Sequence, residues 1–241
     1  MIRTMALEGK RILVVGGARG LGADIACSAD RDGAEVIVGA RDLQPAHALA
    51  KNLQRGNAVR LDVLDEASVA AAAADLGAID HVVSTASMHH DVLVADLERD
   101  KIIAAFGAKV FGPLLLAKHF ASRLRAGGSL LLFSGIVGWK PKPGTVVKGV
   151  ANGAMEYLVA HLATELAPLR VNAIAPGIVD SGAWDPLGKQ GKADLLARAA
   201  KGTLVGRHGE PSDIADAALW LLSAGFVTGE VIHVDGGARQ R

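Results

Sequence analysis

Gly16, Gly20 and Gly22 punctuate the run Val15-Gly16-Gly17-Ala18-Arg19-Gly20-Leu21-Gly22, directly after an apolar segment of strand type and at the start of a helical one. Glycines in this pattern let the backbone turn sharply and approach a pyrophosphate. The helix that follows offers unpaired N–H groups and the positive end of its dipole. Gly16, Ala18, Arg19, Gly20, Leu21 and Gly22 are therefore candidate phosphate-binding residues. A second chemical signal closes the next strand-like segment, Gly39-Ala40-Arg41. A carboxylate at that tip would accept hydrogen bonds from ribose hydroxyls, whereas a guanidinium pairs with a 2′-phosphate. Arg41, joined by Arg19 from the glycine loop, predicts NADP(H) in preference to NAD(H). Asp42 dissents, because it follows Arg41 and could neutralise it.

The elements that must position these residues follow an alternating pattern of short apolar runs and longer helical stretches, the signature of repeated βαβ units. Strands are expected at Arg11–Val15, Glu35–Ala40, Ala58–Leu61, His81–Ser84, Ser129–Ser134, Val171–Ala175 and Glu230–Val234. Helices are expected at Leu21–Asp32, Pro45–Gln54, Glu66–Leu76, Arg99–Arg125, Lys148–Ala167 and Pro211–Ala224, the fifth ending before Pro168, which cannot continue it. The expected fold class is α/β: a single Rossmann-type domain over residues 1–241, with a doubly wound parallel seven-stranded sheet and helices on both faces. The segment Asp180–Thr203 breaks this rhythm beyond the sixth strand, where open α/β sheets bind ligands, and reads as a substrate lid. The alternative is an ordinary connection holding a short helix at Ala193–Ala200.

Composition narrows the partners. Lys and Arg number 26 against 25 Asp and Glu, so no global field directs the chain to nucleic acid or an anionic membrane, and a small molecule is the expected partner. Cys27 is the only cysteine, which excludes an intrachain disulfide and agrees with a reducing compartment. Met1–Gly9 shows no leader pattern and no stretch approaches a membrane span, so the cytoplasm is expected; the positive mean hydropathy of +0.29 reflects buried Ala, Val and Leu.

Further segments fall in a telling order: Leu61-Asp62-Val63 after strand three, Ser84-Thr85-Ala86-Ser87 after strand four, Val171 to Ser181 with Pro176-Gly177 after the fifth helix, and Gly229 to Gly237 near the end. With the glycine loop, they make the chain resemble the short-chain dehydrogenase/reductase family from near residue 8 to near residue 237. The resemblance implies that Asp62 and Val63 flank an adenine, that Thr85 and Ala86 line the dinucleotide, and that Pro176, Gly177, Ile178 and Ser181 meet the nicotinamide and phosphates. It also implies a homotetramer or homodimer.

The same resemblance exposes a replaced centre. Its members carry a tyrosine acid/base, a lysine four residues later, a serine thirteen residues before the tyrosine and an asparagine on the fourth helix. Here those positions hold Lys148, Asn152, Gly135 and Lys109. Ser134 adjoins the serine site but should point to the opposite face of its strand unless the strand end is bulged. Tyr157 stands nine residues beyond Lys148, about half a turn out of phase, and should face away from the site.

Two lysines in one pocket lower one another's pKa, which would give a proton donor, a nucleophilic amine or a seat for an anionic substrate group. Lys148 could instead fold onto the cofactor ribose. Lys140 and Lys142 add positive charge at the mouth. His89, His90 and Asp91 follow the fourth strand at the rim; a histidine there could replace the missing acid, or the segment is a solvated loop. No metal-ligand spacing accompanies them. The leading reading is an NADP(H)-dependent oxidoreductase for a small carbonyl or alcohol, with Lys148 as the replaced acid/base and Lys109 assisting, and with Asn152 and Ser134 as further candidate catalytic residues. The alternatives are a non-catalytic dinucleotide-binding sensor or scaffold, and lysine chemistry without net hydride transfer.

Overall fold

In the computed structural model, which describes residues 6–241, seven parallel strands form one sheet in the order β3-β2-β1-β4-β5-β6-β7. They are β1 (Arg11–Val15), β2 (Glu35–Ala40), β3 (Gly56–Arg60), β4 (Ile79–Ser84), β5 (Leu124–Phe133), β6 (Arg170–Pro176) and β7 (Val231–Val234). The helices are α1 (Gly20–Arg31), α2 (Leu43–Ala50), α3 (Glu66–Leu76), α4 (Arg99–Phe106), α5 (Gly112–Phe120), α6 (Val146–Glu165), α7 (Gly188–Lys201) and α8 (Pro211–Ser223). The expected doubly wound class is the observed one. The leader-free start expected at Met1–Gly9 falls partly on residues 1–5, outside the described residues.

Strand alternation sorts the core into two layers. Leu13, Val15, Ile37, Val82 and Leu130 lie under α3, α5 and α6, while Ile12, Val14, Val36, Val83 and Leu131 lie under α1, α2 and α8. Strand order reverses between β1 and β4, so the loops after those two strands open the crevice in which such sheets bind ligands. The run Arg99–Arg123 has the length and apolarity of a membrane span, yet its Ala108, Leu116, Ala117 and Phe120 pack into the sheet core.

Several boundaries differ from those expected, each for a local reason. β3 is displaced to Gly56–Arg60, and β5 begins at Leu124, well before Ser129. At that end the Asp80 carboxylate accepts from Arg125 Nη1 at 2.7 Å and from the Arg11 amide at 2.9 Å, and Gly127, at φ 79°, absorbs the register shift. α2 starts at Leu43 because Asp42 accepts from the Gln44 amide at 2.9 Å and caps it. α6 starts two residues before Lys148.

The single helix expected over Arg99–Arg125 is split by a π turn at Gly107–Phe111. Pro113 has no N–H for the Lys109 carbonyl, and the Gly112 amide reaches back to the Gly107 carbonyl instead. Asp180–Thr203 contains the whole of α7, far longer than the short helix considered at Ala193–Ala200.

Arg170 ties the sheet to a helix end. It is buried, and its two guanidinium nitrogens donate to the Leu221 carbonyl at 2.8 Å and the Leu222 carbonyl at 2.7 Å at the close of α8. Arg170→Met keeps the stem but strands both carbonyls. It should lower stability by roughly 2–3 kcal/mol, read as a lower urea midpoint.

Candidate active site

The glycine loop is built for close approach. Gly16 adopts φ 78° and Gly20 φ 55°, conformations that favour glycine. A Cβ on Gly22 would stand 2.4 Å from the Gly16 carbonyl oxygen and 2.7 Å from Thr85 Oγ1. Thr85 in turn donates from Oγ1 to the Val15 carbonyl at 3.1 Å, which locks the loop after β4 to the loop after β1. Arg19 is extended ahead of α1 and offers that helix no side-chain cap. Gly22→Ala must push Gly16 or Thr85 aside at a cost of about 1–3 kcal/mol. It should weaken NADPH roughly tenfold to a hundredfold by calorimetry.

Around this loop the predicted contact residues converge in part. A Cβ on Gly20 would come within 3.3 Å of the Ser181 carbonyl, so the segment after β6 begins over the loop. Gly177 packs against Asp235, where a Cβ would lie 2.9 Å from Cα, and its amide donates to the Val234 carbonyl at 3.0 Å. Asp62 accepts from the Leu64 amide at 3.0 Å, which fixes the turn after β3, and Val63 is buried against Gly112. The segment after β6 is tied together by Lys192, which bridges Asp180 at 2.6 Å and Asp185 at 2.8 Å.

The Gly16 amide donates to the Gly39 carbonyl at 2.9 Å, which sets the glycine loop against the tip of β2. Arg19 and Arg41 are both exposed there, and neither side chain has a partner among the described residues. Asp42, the dissenting carboxylate, is occupied by its helix cap. Arg60 ends β3 beside Ala40 and adds a third exposed cation to this edge.

Across the crevice, the π turn carries Lys109 to the end of β5, where Nζ donates to the Ser134 carbonyl at 3.2 Å. Burial, and then the charge of Lys148, bring its pKa down to about 8. The Lys148 ammonium rests on the Asp91 carboxylate, pinning the segment after β4 to the first turns of α6. His89 completes the group. Loss of water on its inner side, then Lys148 and, more weakly, Lys109, lower its pKa, with Asp91 opposing. His90 has a separate task, for its buried Nε2 accepts from the Glu98 amide at 3.0 Å at the head of α4.

Ser134 Oγ donates to the Asn152 carbonyl at 2.9 Å, so this hydroxyl is engaged with the backbone of α6. Asn152 itself is 3% exposed. Its amide lies 2.9 Å from where a Cβ on Gly135 would stand, filling the room that a larger residue at 135 would claim. Tyr157 is 72% exposed on the outer side of α6, away from this centre. On that same side lies an apolar cavity of about 750 Å³, lined by Val92, Leu93, Val137, Pro143, Val146 and Val150 among others. Lys142 also lines this outer cavity, and Lys140 donates to the Ala238 carbonyl at 2.7 Å; neither is bonded to the lysine pair.

Comparison with known proteins decides the family. Residues 16–239 match the family described as enoyl-(acyl carrier protein) reductase. A short-chain dehydrogenase/reductase of Stachybotrys chlorohalonatus is 30% identical over 96% of this chain and 98% of its own length. The chain is a short-chain dehydrogenase/reductase. A solved small-chain dehydrogenase in complex with NADPH superposes with a TM-score of 0.84 at 33% identity, covering 97% of this chain and all of that one (100%). A 7α-hydroxysteroid dehydrogenase complexed with NADH and 7-oxo glycochenodeoxycholic acid gives 0.88 at 25% identity, covering 97% of this chain and 96% of its own.

A nicotinamide dinucleotide is thus the cofactor class of this short-chain dehydrogenase/reductase. Its residues fit one: the Gly16–Gly22 contact leaves no space for side chains, and no side chain of Arg19 caps the helix behind it. Two features of the site escaped the sequence. The Asp91–Lys148 pair joins residues 57 positions apart, and the Gly135–Asn152 fit depends on strand and helix lying side by side.

Proposed function

We propose that this short-chain dehydrogenase/reductase is an NADP(H)-dependent oxidoreductase for a small carbonyl or alcohol, with a lysine pair at the positions of the family's acid/base and its support. The reading rests above all on Lys109, whose half-buried ammonium donates to the Ser134 carbonyl at 3.2 Å beside the dinucleotide crevice and whose pKa is lowered to about 8. A general acid with a pKa near the working pH combines the right protonation state with a ready proton. We assign the proton to Lys109, since Lys148 is held by Asp91. Lys148 and the segment from His89 to Asp91 then form the wall of the pocket. A bound nicotinamide would supply or accept the hydride. Lys109 would give its proton to the carbonyl oxygen during reduction and take it back during oxidation.

NADP(H) is favoured over NAD(H) by the unpartnered Arg19 and Arg41. Two ammonium groups against one carboxylate favour an anionic substrate over a cationic one. The lid near 180–203 would shape specificity. Exposed Phe111, Leu114, Val150 and Tyr157 on the outer face of α5, α6 and the π turn suit a homodimer or homotetramer, and the lone Cys27 suits the cytoplasm.

Cofactor consumption against a panel of carbonyl compounds tests the reading. Turnover that survives Tyr157→Phe and is lost in Lys109→Met is the expected result. Tight NADPH binding without turnover of any compound would leave a non-catalytic dinucleotide-binding protein in its place.

A further inference from the structure

None of Lys109, Lys148, Asp91 and His89 lines the cavity of about 750 Å³ on the outer side of α6, and the reaction assigned to the lysines leaves it unused. Its walls are set by local geometry. The turn from Pro141 to Val146 forms one side, where Gly144 adopts φ 75° and the hydroxyl of buried Thr145 donates to the Lys142 carbonyl at 2.7 Å. Gly149 and Gly153 of α6 form another. Glycine weakens a helix interior relative to alanine, so each needs a local reason. A Cβ on Gly149 would stand 3.3 Å from the Val137 carbonyl oxygen, which accounts for the first. At Gly153 no neighbouring group lies within 4 Å of that position, so the glycine keeps room in the cavity that a side chain would fill.

The lining narrows the occupant. A volume of about 750 Å³ falls within the range of small-molecule pockets, roughly 300–1,000 Å³, which are mostly apolar with a few polar groups that fix orientation. Val92, Leu93, Val137 and Val150 supply the apolar surface here, and Leu93 and Val150 are exposed. Among the described residues that line the cavity, Lys142 alone is charged. It is exposed, and its ammonium has no hydrogen-bond or ion-pair partner among the described residues. A sugar or nucleotide would find too few polar partners in this space, and a cationic amphiphile would meet a like charge.

We infer that this cavity is a second ligand site, separate from the dinucleotide crevice, and that it takes an anionic amphiphile. The hydrocarbon chain lies between the turn at 141–146 and Gly153, and the carboxylate rests on Lys142. Val92 directly follows Asp91 and Gly149 directly follows Lys148, so the occupant lies against both segments that the Asp91–Lys148 pair pins together. No covalent bond forms or breaks on binding. A second copy of the chain on the face that carries Val150 is the competing occupant, and it would cover the cavity without any preference for a free anion.

Calorimetric titration of the full chain with decanoate, decanol and decyltrimethylammonium tests this. Decanoate should bind with a Kd below about 1 mM, and more tightly than either of the other two. Lys142→Glu should weaken decanoate by about threefold to tenfold, the reach of an exposed ion pair and its reversal, and leave decanol unchanged. Gly153→Leu should weaken decanoate and decanol alike by at least about tenfold, because the leucine fills the cavity. Leucine favours a helix more than glycine does, so this variant should keep or raise the thermal midpoint. Lys142→Glu, on the exposed rim, carries the test on its own should the leucine variant not fold.

NADPH affinity equal to the parent's confirms that the variants are intact, and because the probes are titrated without turnover the result is separate from the oxidoreductase reading. Decanol or decyltrimethylammonium bound as tightly as decanoate, decanoate binding unchanged in Lys142→Glu, or decanoate binding that survives Gly153→Leu overturns the inference. Absence of binding at millimolar decanoate overturns it as well. If Gly153→Leu in that case also converts a sedimenting dimer to monomer, the occupant is the second copy.

Discussion

Lys109→Met is expected to lower carbonyl reduction by about 10²–10⁴-fold, the range lost with a general acid, while NADPH binding is retained and thermal stability rises. The two effects share one cause. Burial disfavours the charged form of Lys109 and lowers its pKa from 10.5 to about 8, so the folded protein holds an ammonium it would be more stable without. The unfolded chain releases that proton only near its ordinary pKa. The penalty is therefore complete below about pH 8 and fades as pH rises toward 10.5. Methionine has nearly the same length without the charge and removes the penalty. Denaturant midpoints should thus favour the variant most at neutral pH, and the two proteins should converge in the alkaline range. In the parent protein, reduction should fall as pH passes about 8 and oxidation should rise, because one needs the ammonium and the other the amine. A flat pH profile through this range, or a variant less stable than the parent at pH 7, would remove Lys109 from the proposed role.

Much of this architecture is legible in the sequence, and the reasons are local. β1 and β2 carry the apolar runs of residues 12–15 and 36–40, and the glycine loop states its own geometry because a Cβ at Gly22 would collide with the Gly16 backbone. Positions fixed by chain register were equally legible: Lys148 and Asn152 stand on one face of α6, and Tyr157 lies on the other. What failed to show was tertiary in origin. The early start of β5 depends on Asp80 gathering Arg11, Arg125 and Lys10 from separate elements. The break at Gly107–Phe111 had a visible cue in Pro113, but its consequence, a lysine carried to the end of β5, needs the packing of Gly107 on Leu64 and of Gly112 on Val63. His89, His90 and Asp91 were read as one group because they are neighbours in sequence. In the fold one stands beside the two lysines, one caps α4 and one holds Lys148.

Replacing Arg41 by Ala is expected to weaken NADPH by about tenfold to a hundredfold while leaving NADH nearly unchanged, and Arg19→Ala should add to the loss. A charge-assisted hydrogen bond to phosphate is worth about 1.5–3 kcal/mol, and NADH lacks the group that would receive it. The geometry makes this a clean test because neither arginine is engaged elsewhere: both are exposed and unpartnered among the described residues. Asp42 supplies the control. Its carboxylate accepts from the Gln44 amide at 2.9 Å, so Asp42→Asn, which keeps the cap, should leave cofactor preference in place. Were Asp42 instead neutralising Arg41, the same substitution would tighten NADPH. Rising salt should erode the NADPH advantage, since exposed charges are screened over about 8–10 Å at moderate ionic strength. Calorimetric titration of both cofactors into the two arginine variants separates the possible sources of affinity. Loss confined to NADPH places the cations at the 2′-phosphate. Equal loss for both cofactors would place them at the pyrophosphate, and the preference would then have to come from Arg60 at the neighbouring strand end or not exist at all.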